Sequence, residues 1–194
     1  MKAWYFSTTE RKLRYGDDRS IELGITHSVE GKLEVCKNGL HGSERLIDAL
    51  SYAPGPVIWE VELSGEIATD DGTKHCARNR TYLRGGIDIS EILRKFVRRV
   101  ALDVAQYWDM PEVVREYLKT GDESKRAAAN AAAKAAAYAA ANAAANAATY
   151  AAYAANVATY AAYAAAYAAA AGSAYANVKE KYNSWLTKMV EERL

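Results

Sequence analysis

The sequence has few of the residues that mark secreted, nucleic-acid-binding or membrane proteins. Its 194 residues include two cysteines and three prolines, and the formal net charge is +1 at pH 7. Two cysteines are too few for the disulfide framework of a small secreted domain, so we expect free thiols in a reducing cytoplasm, or one disulfide. A charge near zero gives no overall field toward nucleic acid or an acidic membrane, and neither partner is favoured.

Targeting and membrane segments are not expected either. The opening stretch, MKAWYFSTTERKLRYGDD, has no apolar run after its lysine, which argues against a secretory signal. The segment 148–178 is long enough to span a bilayer, but alanine mixed with tyrosine, Asn156 and Ser173 is only weakly apolar. The sequence therefore predicts a cytoplasmic protein without a membrane span.

Phosphate-binding glycine motifs are missing as well. Neither G-x-G-x-x-G nor G-x-x-x-x-G-K-[ST] occurs, and the glycine pair in LRGGID (83–88) is interpreted as a turn. We therefore predict no cofactor from these motifs.

What the sequence has in excess is alanine. Residues 127–171, the alanine tract, contain 31 alanines and 14 other residues, with neither proline nor glycine. Because alanine is the strongest helix former, we predict one long helix of roughly 68 Å at 1.5 Å per residue. The other residues recur at steps of three or four and fall on one side, as a tyrosine stripe that continues to Trp185.

The tyrosine stripe predicts self-association. A helix with so little charge does not have the solvent face of an isolated soluble helix, so we expect a homo-oligomeric helical bundle. The residues predicted to interact are Tyr138, Tyr150, Tyr153, Tyr160, Tyr163, Tyr167, Tyr175 and Trp185. The alternatives are a low-complexity helical spacer, or an ice-binding helix, against which the irregular spacing of its two threonines argues.

Before Arg126 the composition is mixed and predicts an α+β domain. Strand patterns occur at 2–6, 11–15, 20–29, 32–36, 57–68, 73–77 and 80–83. Helical patterns occur at 43–53 with Ser43 as N-cap, at 88–108, and at 109–121 with Gly121 past the end. We expect a small mixed or antiparallel sheet with two or three helices, followed by the long helix. The predicted boundaries are 1–87 (strand-rich), 88–126 (helical), 127–171 (alanine/tyrosine helix) and 172–194 (amphipathic C-terminal helix).

Three residues have side chains suited to catalysis, namely His41, Ser43 and Glu60. His41 and Ser43 are two residues apart, and Glu60 shares a strand face with Glu62, as an acid–base pair would. Each also has a plainer interpretation, because Ser43 suits a helix cap and the two glutamates suit a solvated sheet face. These residues remain weak candidates, and whether the protein is an enzyme stays open.

Metal and anion sites are also weak candidates. A Cys₂His₂ set would comprise Cys36, His41, His75 and Cys76, but the spacing is not that of a zinc finger, and adjacent strand residues point to opposite faces. We predict no metal. A basic patch for anions or nucleic acid would comprise Arg78, Arg80, Arg94 and Arg98, with a solvated face as the alternative.

A series of motifs resembles an uncharacterised family of bacteriophage proteins. The motifs, in order, are LRYGD (13–17), C-x-x-G-L-H-x-S (36–43), DALSYAPGP (48–56), VELSGEI (61–67), ARNRTYL (77–83) and TGDES (120–124). In that family a globular head precedes an alanine-rich tail of variable length, and the likeness covers nearly the whole chain. It departs in the tail, where relatives carry charged residues or tryptophan. The resemblance implies a phage origin and a host-cytoplasm setting, and it implies no reaction.

A second set of motifs is similar to the ADP-ribosyltransferase fold. YFST (5–8), GLHGS (39–43), ALSYA (49–53) and VIWEVEL (57–63) occur in that fold's order. The His-Tyr-Glu and Arg-Ser-Glu signatures of those enzymes are not clear here, so no catalytic glutamate is assigned. Two hypotheses result. The first is a phage interaction protein that self-associates and binds a host or phage macromolecule, with counter-defence as one role. The second is an ADP-ribosyltransferase-like enzyme that modifies a host target, for which the resemblance implies NAD as the cofactor.

Overall fold

A computed structural model describes residues 1–69, 72–103, 105–107, 110–143 and 173–194. The described chain divides into two compact units. The sheet unit comprises Met1–Ser90 together with Asn183–Leu194, and the helical unit comprises Glu91–Tyr182. None of the described helices is both long and apolar enough to cross a membrane.

The sheet unit contains a five-stranded antiparallel sheet. Its strands are β1 (Lys2–Ser7), β2 (Thr26–Ser28), β3 (Leu40–Gly42), β4 (Val57–Thr69) and β5 (His75–Asp88). The order is β1-β4-β5-β2, and β3 pairs with β5. The long hairpin of β4 and β5 forms the centre of the sheet, and its core residues include Trp59, Val61, Leu63, Ala77 and Tyr82.

The α+β prediction is confirmed, as are the predicted strands at 2–6 and 57–68. The prediction of a turn at LRGGID is wrong, because Leu83–Asp88 belongs to β5. The strand predicted at 32–36 is also wrong. This segment enters a tight turn in which the Glu34 carbonyl accepts hydrogen bonds from the backbone N–H of Lys37 and Asn38, at 3.0 and 2.9 Å.

The glycine pair lies inside β5 because the sheet is irregular there. The pairing of β4 with β5 shifts register between Ile58 and Trp59, opposite Gly85. Gly85 has φ +112°, and a β-carbon built on it would lie 2.4 Å from the Ile58 carbonyl oxygen. A β-carbon on Gly86 would lie 2.7 Å from the Trp59 ring. The two glycines therefore leave the room that a β-bulge and a buried tryptophan need.

Five α-helices are described: α1 (Leu46–Ser51), α2 (Ser90–Asp103), α3 (Glu112–Thr120), α4 (Arg126–Ala143) and α5 (Ser173–Glu191). Short 3₁₀ turns span Ala105–Tyr107 and Glu123–Lys125. α3 ends as predicted at Gly121, which has φ +70°. The Asp122 side chain accepts a hydrogen bond from the backbone N–H of Ser124 and caps the turn that opens α4.

The core of the helical unit is small. Ala101 of α2, Val114 and Leu118 of α3, and Ala129 of α4 pack together with Met110. Of the predicted 127–171 helix, the structure describes the part within α4. Residues 144–171 lie outside the described residues, so the long helix stays a prediction.

Residues before and after the part of the alanine tract that lies outside the described residues contact the end of α2 in the helical unit. On the N-terminal side, Ala129 packs in the core that includes Ala101. Ten residues after the tract, the Lys181 ammonium lies 2.7 Å from both carboxylate oxygens of Asp103, and the Tyr182 hydroxyl donates to the same carboxylate at 3.0 Å. The chain on either side of residues 144–172 is therefore held in the helical unit.

The last residues of α5 belong to the sheet unit. Leu186 and Val190 are fully buried, and Asn183 Oδ1 accepts a hydrogen bond from the backbone N–H of Ile47 at 3.1 Å, at the start of α1. Arg84 of β5 donates to both carboxylate oxygens of Glu191, each at 2.8 Å. The C-terminal helix thus completes the unit formed by the first 90 residues.

Candidate functional site

Glu60, a catalytic candidate, is held in an ion-pair network. Its side chain lies on β4, buried between the ammonium of Lys2, 3.3 Å away, and the guanidinium of Arg84. Burial opposes the charged form, but the hydrogen bonds from Arg84 and Lys2 outweigh burial and keep the pKa of Glu60 below its usual value. Glu60 is therefore an ionised carboxylate near neutral pH, and it joins β1, β4 and β5.

His41 lies on β3, opposite Cys76 of β5. Its ring Nε2 accepts a hydrogen bond from the backbone N–H of Cys36 at 3.2 Å. Burial, with smaller contributions from the charges of Lys74 and Arg80, lowers the pKa of His41 to about 4. The imidazole is therefore neutral at physiological pH and acts as an acceptor that holds the turn before β3.

Ser43 is buried beside β1. Its backbone exchanges two hydrogen bonds with Trp4, at 2.7 and 3.0 Å. The prediction that Ser43 caps a helix is wrong, because α1 begins at Leu46 with Arg45 in the cap position. Trp4 is also the register partner of Glu60. Ser43 and Glu60 therefore flank β1 about two strand spacings apart, roughly 9–10 Å.

The predicted basic patch is divided between the two units. In the sheet unit, Arg78 pairs with Glu66 at 2.6 Å, and Arg80 is buried. In the helical unit, Arg94 pairs with Glu91. Arg98 lies over the end of α3, where a β-carbon on Gly121 would be 2.6 Å from its Cζ atom. Each of these four arginines therefore contacts residues of its own unit.

The four metal candidates, all within the described ranges, do not form a ligand set. Cys36 is exposed and Cys76 is buried, while His75 Nδ1 shares a hydrogen bond with the Thr69 hydroxyl at 2.8 Å. Within the described ranges, no group of three or more histidine, cysteine, aspartate or glutamate residues could hold a metal ion.

A buried polar cluster on the sheet was not predicted. The Arg80 guanidinium donates to the Tyr82 hydroxyl at 2.7 and 3.0 Å and to the His41 carbonyl at 2.7 Å. It also stacks over the Tyr5 ring, 3.6 Å from the centroid. His27 Nδ1 lies 3.1 Å from the same tyrosine hydroxyl. Arg80 and Tyr82 are two residues apart on β5 and so share its inner face, which is the signal the sequence contained.

The cluster fixes β2 and β3 to β5. Burial raises the pKa of Tyr82 to about 12, so its hydroxyl stays protonated. Burial, and then the charges of Arg19 and Arg80, lower the pKa of His27. The cluster therefore has a single positive charge, which is shared among neutral partners.

The segment before β2 forms a closed loop with an exposed tyrosine at its tip. Backbone hydrogen bonds join Leu13 N–H to the Arg19 carbonyl at 3.0 Å and Ile21 N–H to the Arg11 carbonyl at 2.7 Å. We call residues 14–18 the Tyr15 loop. Tyr15 is 93% exposed, has φ +64°, and carries the Arg14 guanidinium 4.8 Å from its ring centroid.

The Tyr15 loop is braced by an ion pair. Arg19 Nε and Nη2 donate to the Asp17 carboxylate at 2.9 and 2.6 Å, and Arg19 Nη1 donates to the Ser28 carbonyl at 3.0 Å. The hydrogen bond from Arg19 keeps the pKa of Asp17 below its usual value, against the effect of burial. Near neutral pH Asp17 and Arg19 therefore form a charged pair, and the hydrogen bond from Arg19 to the Ser28 carbonyl joins this pair to β2.

The predicted interaction residues fall mostly outside the described part of the chain. Tyr150, Tyr153, Tyr160, Tyr163 and Tyr167 lie outside the described residues, as do the side chains of Tyr138 and Tyr175. Trp185 is described and is half-buried on α5.

Comparison with known proteins identifies one family model. A domain of unknown function, DUF7666, matches residues 8–95, which include β2 to β5, α1, the Tyr15 loop and the start of α2. No curated protein and no solved structure matches the chain.

Proposed function

We propose that the protein is a bacteriophage interaction protein that acts in the host cytoplasm by binding a host or phage macromolecule, counter-defence being one such role. The phage origin rests on the order of motifs from LRYGD to TGDES. The binding role rests on one observation, the presentation of Tyr15 at the tip of a braced loop.

Two physical features favour a binding role for this loop. Tyrosine and arginine are the side chains most often found at the centre of protein interfaces, because they bury a large area at low entropic cost. Tyr15 also has a left-handed backbone, which costs about 1–2 kcal/mol for a non-glycine residue and occurs most often at functional sites. A large ring held in a costly conformation and pointed at solvent is suited to a pocket on a partner protein.

The first prediction concerns Tyr15→Ala. The full-length protein, immobilised and exposed to extract from infected host cells, is expected to retain a specific partner, and the variant is expected to lose at least tenfold in affinity for it, about 1.4 kcal/mol or more. The measurement is quantitative mass spectrometry of retained proteins, followed by titration with the purified partner.

The matched control is Tyr52→Ala, which removes another exposed tyrosine, 47% exposed, at the end of α1. The partner should be retained by this variant. Equal retention of every protein by the wild type and by Tyr15→Ala would refute the role of the loop.

Self-association through the tyrosine stripe is the second part of the proposal. It rests on the sequence, in which tyrosines recur at steps of three and four residues along the alanine tract. Aromatic rings on an alanine surface bury a large area when two such segments meet.

The second prediction tests the stripe. Replacing Tyr153, Tyr160, Tyr163 and Tyr167 together by alanine keeps helix propensity and removes the rings. Analytical ultracentrifugation of the wild type, whose monomer mass is 21.2 kDa, is expected to show an oligomer, and the variant should sediment as a monomer. A monomeric wild type would contradict self-association and leave the Tyr15 loop to be judged separately.

An ADP-ribosyltransferase-like enzyme is the second candidate, and one contact favours it. Two of the segments that carry that resemblance lie side by side, because the Trp4–Ser43 pairing places β1, which includes residues 5–7 of YFST, beside the GLHGS segment. Incubation of the protein with labelled NAD and host lysate distinguishes the candidates, because label transfer to a host protein requires catalysis.

A further inference from the structure

Both cysteines of the chain lie close to one turn of the sheet unit. Cys36 is exposed in the turn of residues 34–38, with φ +71°, and Cys76 is buried on β5. The Cys36 backbone is bound to His41, which is the register partner of Cys76. Two nucleophilic sulfurs thus occupy one small region that the proposed binding function does not use.

A lysine ammonium lies beside the exposed thiol. The Lys74 ammonium lies 3.0 Å from Cys36 Sγ. It is held there by the Tyr52 ring, whose centroid is 4.4 Å from Nζ, and the Tyr52 hydroxyl lies 3.0 Å from the Thr73 hydroxyl. An ammonium at this distance can donate a proton to a group that leaves as the sulfur reacts.

Gly39 packs directly against the Cys76 side chain. A β-carbon on Gly39 would lie 2.8 Å from Cys76 Cβ and 3.0 Å from Cys76 Sγ. A side chain would not fit at this position, so the backbone of Gly39 lies directly against Cys76. Gly39 is three residues after Cys36, so the chain that carries the exposed sulfur packs on the residue that carries the buried one, and a disulfide between them requires this turn to move.

We propose that Cys36 is a hydroperoxide-reactive thiol, that Lys74 assists its oxidation, and that Cys76 resolves the product as a disulfide. In the first step the Cys36 thiolate attacks one peroxide oxygen, the O–O bond breaks, and Lys74 protonates the leaving oxygen to give water and a Cys36 sulfenic acid. In the second step the Cys76 thiol attacks the Cys36 sulfur, the S–O bond breaks, and a second water leaves. The peroxide is the oxidant and is reduced by two electrons.

The roles of the two cysteines follow from their surroundings. Burial raises the pKa of the Cys76 thiol, which makes it the slower nucleophile and protects it from direct attack. Cys36 is accessible and has a proton donor beside it. The structure therefore favours attack at the exposed sulfur first, with the buried sulfur reacting only after the turn has moved.

The test is the rate of Cys36 oxidation in the full-length reduced protein. The protein is treated with hydrogen peroxide, with and without the sulfenic-acid trap dimedone, and followed by peptide mass spectrometry. We expect Cys36 to react faster than the thiol of free glutathione, and the wild type to end as a Cys36–Cys76 disulfide. Lys74→Gln should slow the first step about tenfold, the effect of one hydrogen bond to a charged group.

The matched control is Lys37→Gln, which removes the neighbouring lysine of the same turn, paired with Glu34. Its oxidation rate should equal that of the wild type. Cys76→Ala should stop at the dimedone-trapped sulfenic acid. Reaction of Cys36 no faster than glutathione, equal rates for Lys74→Gln and Lys37→Gln, or a wild type that accumulates sulfenic acid without a disulfide would each overturn the proposal.

Discussion

Replacing Gly85 by alanine is expected to lower the free energy of unfolding by at least about 3 kcal/mol, and this should be the largest effect of any single methyl group added to the sheet unit. The new β-carbon would lie 2.4 Å from the Ile58 carbonyl oxygen and 2.9 Å from Trp59 Cα. Both are backbone atoms of the central strand and cannot rotate away. Positive φ adds about 1–3 kcal/mol, and forced overpacking adds a similar amount.

Gly24→Ala separates the two causes. Gly24 has φ +79°, but a β-carbon built on it meets nothing within 4 Å. Its substitution should therefore cost only the backbone term, about 1–2 kcal/mol. Urea denaturation followed by tryptophan fluorescence measures both variants. Equal losses for the two would show that the bulge opposite Gly85 can relax and that packing against β4 is not what requires glycine.

The second large effect is expected for Leu186→Ala. Leu186 is fully buried on α5, in the part of the helix that belongs to the sheet unit. Truncating a buried leucine leaves a cavity and typically costs about 2–5 kcal/mol. We expect a loss of about 3 kcal/mol in urea denaturation, although the substitution lies more than 90 residues beyond the last strand of the sheet.

Ser184→Ala is the control on the same helix, at an exposed position. Alanine has the higher helix propensity, so the variant should be as stable as the wild type or slightly more stable. If Leu186→Ala were equally harmless, the C-terminal residues would not be part of the sheet unit's core.

Regular patterns in the sequence were sufficient to predict the main helices and strands. The alternation in β4 and the three- and four-residue steps of α2 and α3 predicted those elements close to their bounds, although the first five residues of β4 are all buried and its burial there is not one-sided. The C-terminal helix was predicted with its buried side slightly misplaced. The tyrosine stripe runs through Tyr182, Trp185 and Met189, of which Tyr182 is buried and the other two are half-buried. Leu186 and Val190, which lie outside the stripe, are fully buried.

The polar features could not be predicted because each depends on a partner distant in the sequence. Arginine usually lies at the protein surface. Arg80 is buried because its guanidinium stacks on the Tyr5 ring and donates a hydrogen bond to the His41 carbonyl. From the sequence alone Glu60 is an acid–base candidate, whereas in the structure it is paired with Lys2 and Arg84. LRYGD was visible as a motif, but the exposure of Tyr15 depends on how Asp17 and Arg19 close the loop.

The anchoring of Ala129 near Ala101, and of Lys181 and Tyr182 on Asp103, has a consequence for cleavage. A protease that cuts once within the alanine tract would not release a domain. The shorter fragment would still carry Leu186 and Val190, whose burial stabilises the fragment that contains the strands. The nicked protein should stay together as two complementing pieces in native buffer and come apart only when denatured.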